Sequence, residues 1–242
     1  MNKEFKDKTV LITGGTGDIG SSLVKSFYSL GAKIITTTTK PKNINNKHNS
    51  IKYYHLDFLK SDTLNFFLND IKKINIDILI NNAGVNYVDS IIDIDDSKID
   101  HLLNINLKSQ IILTKYIVQK MIKNKIKGKI INISSIWGNI SRENRSIYSA
   151  SKHGINGFTK GISLDLAKYG IIVNSVSPGF IMTKLTNKTN TKKNLKEIVN
   201  KIPLQKLGTT EDVSNLVIFL ASRKNNYITG QNLIVDGGYS IT

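Results

Sequence analysis

Tyr148 and Lys152, in the run Ser146-Ile147-Tyr148-Ser149-Ala150-Ser151-Lys152, stand four residues apart, so a helix there presents a phenol and an ammonium on one face. That pair can move a proton. A phenol on its own titrates near about pH 10, and a fixed cation a few ångströms away favours the phenolate and draws that value down. A tyrosine so placed can serve as acid or base. Because Tyr-x-x-x-Lys also arises by chance in many helices, the weight of the pair depends on what surrounds it.

Short apolar runs alternate with helical patterns from end to end, the signature of βαβ units and a parallel sheet. The spacing predicts strands over 9–12, 33–38, 51–55, 76–80, 129–133, 171–176 and 232–235. Helices are predicted over 19–30, 63–72, 98–123, 147–169, 193–200 and 211–222, the last with Thr209 or Thr210 as its N-cap. The Lys/Asn-rich stretch 40–49 reads as a loop and nothing reads as a linker, so 1–242 is expected to form a single α/β domain. It would be doubly wound around a parallel sheet of about seven strands. In such a sheet, ligands sit outside the carboxyl ends of the strands. The first strand is followed by Thr13-Gly14-Gly15-Thr16-Gly17-Asp18-Ile19-Gly20, the fourth by Asn81-Asn82-Ala83-Gly84, the fifth by Ser134-Ser135 and the sixth by Ser177-Pro178-Gly179. A glycine-rich turn between strand and helix lets backbone approach a pyrophosphate and aims the helix N-terminus at it.

The 242 residues include 34 Lys and Arg against 18 Asp and Glu, a formal charge of +16 that by itself suggests an anionic partner such as nucleic acid or a membrane surface. The distribution argues otherwise. Almost all of that charge is lysine spread along the chain, the only arginines being Arg142, Arg145 and Arg223. The denser group Lys123, Lys125, Lys127 and Lys129 lacks interleaved aromatics and reads as a solvated face, so neither nucleic acid nor membrane is expected as a partner. Apolar runs such as 216–221 fall far short of the ~20 residues a membrane span needs. The charged start Met1-Asn2-Lys3-Glu4-Phe5-Lys6 has no signal-peptide pattern, so a cytoplasmic protein is expected. There is no cysteine, and His48, His55, His101 and His153 stand isolated, so no metal site is expected.

Taken together, the glycine turn, Asn81-Asn82-Ala83-Gly84, Ser135, Tyr148, Lys152 and Pro178-Gly179 strongly resemble the short-chain dehydrogenase/reductases, whose fold is of the Rossmann type. The resemblance runs from about 8 to 238 and takes in Ile228-Thr229-Gly230-Gln231 and Val235-Asp236-Gly237-Gly238. Within the family the chain is most similar to the 3-oxoacyl-[acyl-carrier-protein] reductases, in Gly31-Ala32-Lys33 and Pro178-Gly179-Phe180-Ile181. The resemblance implies a catalytic tetrad of Asn106, Ser135, Tyr148 and Lys152. Tyr148 would protonate a carbonyl oxygen as hydride arrives, and Ser135 would hydrogen-bond the same oxygen. Lys152 would lower the tyrosine pKa and hold the nicotinamide ribose, while Asn106 would anchor a water linking Lys152 to solvent. On residue type alone, Ser135 could instead be a capping hydroxyl and Asn106 a polar residue breaking a helix. The residues so assigned to a nicotinamide dinucleotide begin with Gly14, Thr16, Gly17, Asp18, Ile19 and Gly20 in the glycine turn. Thr39, Lys40, Asp57, Asn82, Ala83 and Gly84 follow, then Tyr148, Lys152, Pro178, Gly179, Ile181 and Thr183.

The glycine turn departs from the family's Thr-Gly-x-x-x-Gly-x-Gly by placing Asp18 where a glycine would stand. Asp18 either caps the following helix and favours its dipole, or opposes the phosphates. Thr36-Thr37-Thr38-Thr39-Lys40 ends the second strand without a carboxylate for a ribose diol. Thr37, Thr39 and Lys40 suit a 2′-phosphate, so NADP(H) is expected in preference to NAD(H). Asp57 would lie by the adenine or cap a turn. Trp137, Arg142 and Arg145 fall where the family builds a wall of the substrate site, the arginines meeting an acidic group of substrate or carrier or serving as surface charge.

The implied activity is reduction of a carbonyl to a secondary alcohol, on a 3-oxoacyl thioester that is either a small molecule or carried on acyl carrier protein. The alternatives are a sugar, nucleotide-sugar or other small polar alcohol or ketone, and a nucleotide-sensing protein without turnover. Substrate choice would reside in 136–147 and 182–200. The resemblance implies a homotetramer through the two long helices and the C-terminal segment, and Ile111, Ile112, Leu113, Ile117 and Val118 exceed what one core-facing stripe requires.

Overall fold

In the computed structural model, which describes residues 3–40, 50–184, 186 and 191–242, the apolar runs pair as one seven-stranded sheet. The strands are β1 (Thr9–Ile12), β2 (Lys33–Thr38), β3 (Ile51–His55), β4 (Ile78–Asn81), β5 (Lys129–Ile133), β6 (Ile172–Pro178) and β7 (Asn232–Val235). Their order is β3-β2-β1-β4-β5-β6-β7, with every neighbouring pair parallel. The helices are α1 (Asp18–Ser29), α2 (Ser61–Asp70), α3 (Asp96–Leu103), α4 (Ser109–Lys123), α5 (Ser146–Ala167), α6 (Lys192–Asn200) and α7 (Thr210–Ala221).

The strands read as continuous apolar runs because both faces of the sheet are covered. Side chains alternate between two cores. Val10, Ile12, Ile78, Ile80 and Ile131 face one, where Leu23 and Phe27 of α1 join Val213, Val217 and Leu220 of α7. Leu11, Leu79 and Ile130 face the other, with Phe67 of α2, Leu113 and Ile117 of α4 and Leu166 of α5. Strand order reverses at β1, flanked by β2 and β4, and this opens the crevice in which such sheets bind ligands.

The expected helix over 98–123 is broken. α3 and α4 are separated by a π-helical segment, Asn104–Lys108. Asn104 and Asn106 are poor helix formers, and Asn106 has a better use for its amide, described below. Such wide turns often mark functional positions. Of the two candidate caps for α7, Thr209 is the one used: its hydroxyl accepts from the Asp212 N–H while Asp212 accepts from the Thr209 N–H. Beyond Lys40 the expected loop over 40–49 lies outside the described residues, as do 185 and 187–190. Among the described residues no helix is long and apolar enough to cross a membrane.

Candidate active site

The ends of β1 and β4 are laced together. Thr13 Oγ1 accepts from the backbone N–H groups of Asn82 and Ala83, both at 2.9 Å, and Asn82 Nδ2 donates back to the Thr13 carbonyl at 2.9 Å. Gly14 turns the chain at φ +69°, a conformation that favours glycine. A Cβ on Gly20 would stand 2.2 Å from the Gly14 carbonyl oxygen, so α1 can begin this close to the turn only with glycine there. Gly17 is the N-cap of α1 and supplies no side-chain cap, which leaves the first helical N–H groups open to the crevice. A cavity of about 460 Å³ lies there, lined by Gly14, Thr16 to Gly20, Thr37 to Thr39, Asp57, Asn82 to Gly84 and Thr183. Uncapped N–H groups at a helix start, beside a glycine turn, fit the pyrophosphate of a dinucleotide.

Asp18 is not the cap. It lies in the first turn of α1, where its charge favours the helix dipole, but its Oδ2 accepts from the Lys184 N–H at 2.7 Å. The carboxylate thus holds the segment after β6 instead of the helix start. Asp18→Gly is expected to leave apo stability within about 0.5 kcal/mol and to alter nucleotide affinity, as read by thermal melts with and without NADPH. Thr37 is also not free to meet a phosphate. It is 2 % exposed, and its hydroxyl accepts from the Gly14 N–H at 3.1 Å, bracing the turn from below. Thr39 lines the cavity; Lys40 is exposed beside it, its N–H donating to Thr38 Oγ1.

A second cavity of about 500 Å³ adjoins the first, sharing Ile19, Asn82, Gly84, Val85 and Thr183, and contains Ser135, Tyr148, Lys152, Pro178, Gly179 and Ile181. Ser135 caps the short 3-10 turn Ile136–Gly138, accepting from the Trp137 N–H at 3.2 Å. The cap and the proposed chemistry are compatible, because accepting that bond leaves the hydroxyl proton to be donated. Lys152 is 4 % exposed and donates to the Ile133 carbonyl at 2.9 Å, with Nζ 5.7 Å from the centre of the Tyr148 ring. Burial lowers this ammonium to about 8.

The Tyr148 phenol moves opposite to the expectation from a Tyr-Lys pair alone. Burial raises its pKa, and the opposing influences are the Ser135 hydrogen bond and the Arg145 charge, which do not overturn it. Asn106, fully buried, grips Val85: its Oδ1 accepts from the Val85 N–H and its Nδ2 donates to the Val85 carbonyl, both at 2.8 Å. It stands behind the cavities and lines neither, with Gly84 packed between it and Lys152.

This geometry matches known proteins over nearly its whole length. The short-chain dehydrogenase/reductase model adh_short_C2, described as enoyl-(acyl carrier protein) reductase, matches residues 15–240. The chain belongs to the short-chain dehydrogenase/reductase family. It is 41 % identical over 239 residues to the 3-oxoacyl-[acyl-carrier-protein] reductase FabG of Rickettsia typhi, covering 97 % of this chain and 98 % of that one. It is 36 % identical over 245 residues to the FabG of Buchnera aphidicola subsp. Schizaphis graminum, covering 99 % and 100 %. A short-chain dehydrogenase from Leptospira borgpetersenii, solved with bound NAD+, superposes with a TM-score of 0.91 at 32 % identity, covering 99 % of this chain and 95 % of that one. ElxO, solved with NADP bound, gives 0.89 at 32 % identity, covering 97 % and 99 %.

As a member of this family the protein is an NAD(P)-dependent oxidoreductase acting on a CH–OH group. Beyond the expected residues, the cavities take in Leu56, Phe58, Val85, Asn86, Tyr87 and Ile105. Val85 to Tyr87 simply continue the Asn-Asn-Ala-Gly motif, which was the available signal. The two arginines of the substrate wall differ from one another. Arg142 is exposed and lies over the rings of Trp137 and Phe180, at 5.3 and 6.0 Å. Arg145 is 8 % exposed and therefore not surface charge.

Proposed function

We propose that this short-chain dehydrogenase/reductase reduces the ketone of a 3-oxoacyl thioester to a secondary alcohol, using NADP(H) in preference to NAD(H). The carrying observation is the meeting of Ser135, Tyr148 and Lys152 in a cavity continuous with the glycine-turn crevice. Near full-length identity to acyl-carrier-protein reductases supports the substrate class. A nicotinamide dinucleotide, its pyrophosphate held at the glycine turn, would supply the hydride. Tyr148, kept protonated at neutral pH by its buried setting, gives its proton to the carbonyl oxygen. Ser135 would donate to that same oxygen, Lys152 would hold the nicotinamide ribose, and Asn106 fixes the Val85 wall of the cavity.

The test is a panel assay of NADPH and NADH oxidation with acetoacetyl thioesters beside keto-sugars. Thioester turnover exceeding that of the sugars supports the reading, and the reverse overturns it. Cofactor preference rests on the absence of a carboxylate after β2, with Thr39 lining the crevice and Lys40 exposed next to it. Lys40→Ala should raise the NADPH Michaelis constant several-fold and leave NADH nearly unchanged, an exposed charged contact being worth about 1 kcal/mol. Thr39→Asp should reverse the preference, by repelling a 2′-phosphate and accepting from a ribose diol. Wild-type specificity constants equal for the two cofactors would refute the assignment.

The reading includes a homotetramer. On α5 the exposed Gly157, Gly161 and Leu164 form one stripe; nothing lies within 4 Å of a Cβ on either glycine, and Leu164 is 80 % exposed. Ile112 of α4 is 41 % exposed. Small residues beside large apolar ones permit close helix approach by a second copy. Light scattering should give four chains, and Leu164→Asp should dissociate them.

A further inference from the structure

We propose that Arg145 is a positioning residue of the proton-transfer site: pinned by the wall that follows β4, its guanidinium stabilises the negative charge that Tyr148 carries once it has given up its proton. The inference rests on the reading of Tyr148 as proton donor and deepens it. Arg145 is the N-cap residue of α5, one helical turn before Tyr148, and is 8 % exposed. Buried arginines are ordinarily paired with a carboxylate. This one is held by two neutral oxygens, Asn86 Oδ1 at 2.7 Å and the Tyr87 carbonyl at 3.3 Å, and its Nε is buried without a partner. Its charge is therefore uncompensated where the dielectric is low. Asn86, Tyr87 and Tyr148 line the same cavity, so the guanidinium is bonded to the walls of the space in which the phenolate forms.

The other charged groups around Tyr148 do not supply this. Lys152, from the same helix, has its ammonium engaged by the Ile133 carbonyl and is lowered to about 8 by burial, so it loses its charge in mildly alkaline solution. A guanidinium does not. Arg142 is exposed, with its charge set against that of Arg145. Behind the wall, the Tyr87 hydroxyl meets His101 Nδ1, and Lys98 lies over the Tyr87 ring in an ion pair with Asp89. Among the described residues no Asp or Glu lines the cavity. The influence of Arg145 on the phenol is downward, as the geometry requires.

The phenolate absorbance of the wild type minus that of Tyr148→Phe reports this ionisation in alkaline titrations without substrate or nucleotide. The result therefore stands whether or not the 3-oxoacyl reading survives. In an Arg145→Gln background the difference titration should move up by about one pH unit. With substrate, the alkaline limb of carbonyl reduction and the acid limb of alcohol oxidation should both move upward in parallel, since one needs the phenol and the other the phenolate. An unmoved titration in Arg145→Gln overturns the proposal. Should Arg145→Gln not fold, Arg145→His, neutral in the alkaline range, takes its place: it should shift the titration upward from that of the wild type, and coincidence of the two overturns the proposal.

Discussion

Tyr148→Phe is expected to lower turnover by about a hundredfold or more while leaving nucleotide affinity nearly unchanged. The magnitude follows from what remains in the cavity. Ser135 has a hydroxyl proton to share but none to give up at neutral pH, and Lys152 points an ammonium proton into the Ile133 carbonyl. Among the described residues the other phenol lining that cavity, Tyr87, has its hydroxyl engaged by His101 Nδ1. The affinity should survive because the glycine turn and the crevice after β2 are built from other elements. Steady-state kinetics with an acetoacetyl thioester and fluorescence titration with NADPH would read both quantities. Turnover within a few-fold of wild type would remove Tyr148 from the proton transfer.

The sheet was legible in the sequence because a parallel sheet covered on both faces writes itself as uninterrupted apolar runs. Val10-Leu11-Ile12 and Ile78-Leu79-Ile80 each feed two cores at once, leaving few polar residues to confuse the reading. The glycine turn and the Tyr-Lys pair were legible for a related reason: each lies within one turn of chain, where spacing alone fixes geometry. What escaped was settled by distant partners. The π-helical segment exists because Asn106 bonds both backbone groups of Val85, 21 residues away. Asp18 finds its partner in Lys184, 166 residues on, so the local choice between cap and phosphate repulsion omitted the bond it makes. Thr37 looked available for a phosphate because β2 shows its residues but not which face the glycine turn covers. Arg145 was the hardest case, since neither its burial nor its neutral partners can be read from the loop in which it lies.

Lys152→Met is expected to leave the protein nearly inactive and yet more stable. The ammonium is buried, donates one hydrogen bond to a neutral carbonyl and has no carboxylate partner among the described residues, so the fold holds it at a cost. Its lowering from 10.5 to about 8 sets the size and the pH range of that cost. Below about pH 8 both folded and unfolded chains carry the proton, and the full penalty, up to about 3 kcal/mol, opposes folding. Between about 8 and 10.5 the folded chain sheds the proton while the unfolded chain keeps it, so wild-type stability gains on the variant as pH rises. Above that range the two should differ only by packing. Methionine keeps the length of the side chain and removes the charge, so denaturant melts of both proteins from pH 6 to 11 isolate the effect. The stability advantage of Lys152→Met should be largest near neutrality and vanish by about pH 10.5. A variant less stable than wild type at pH 7 would mean that the Ile133 bond outweighs desolvation, and that the ammonium is held there for structure rather than against it.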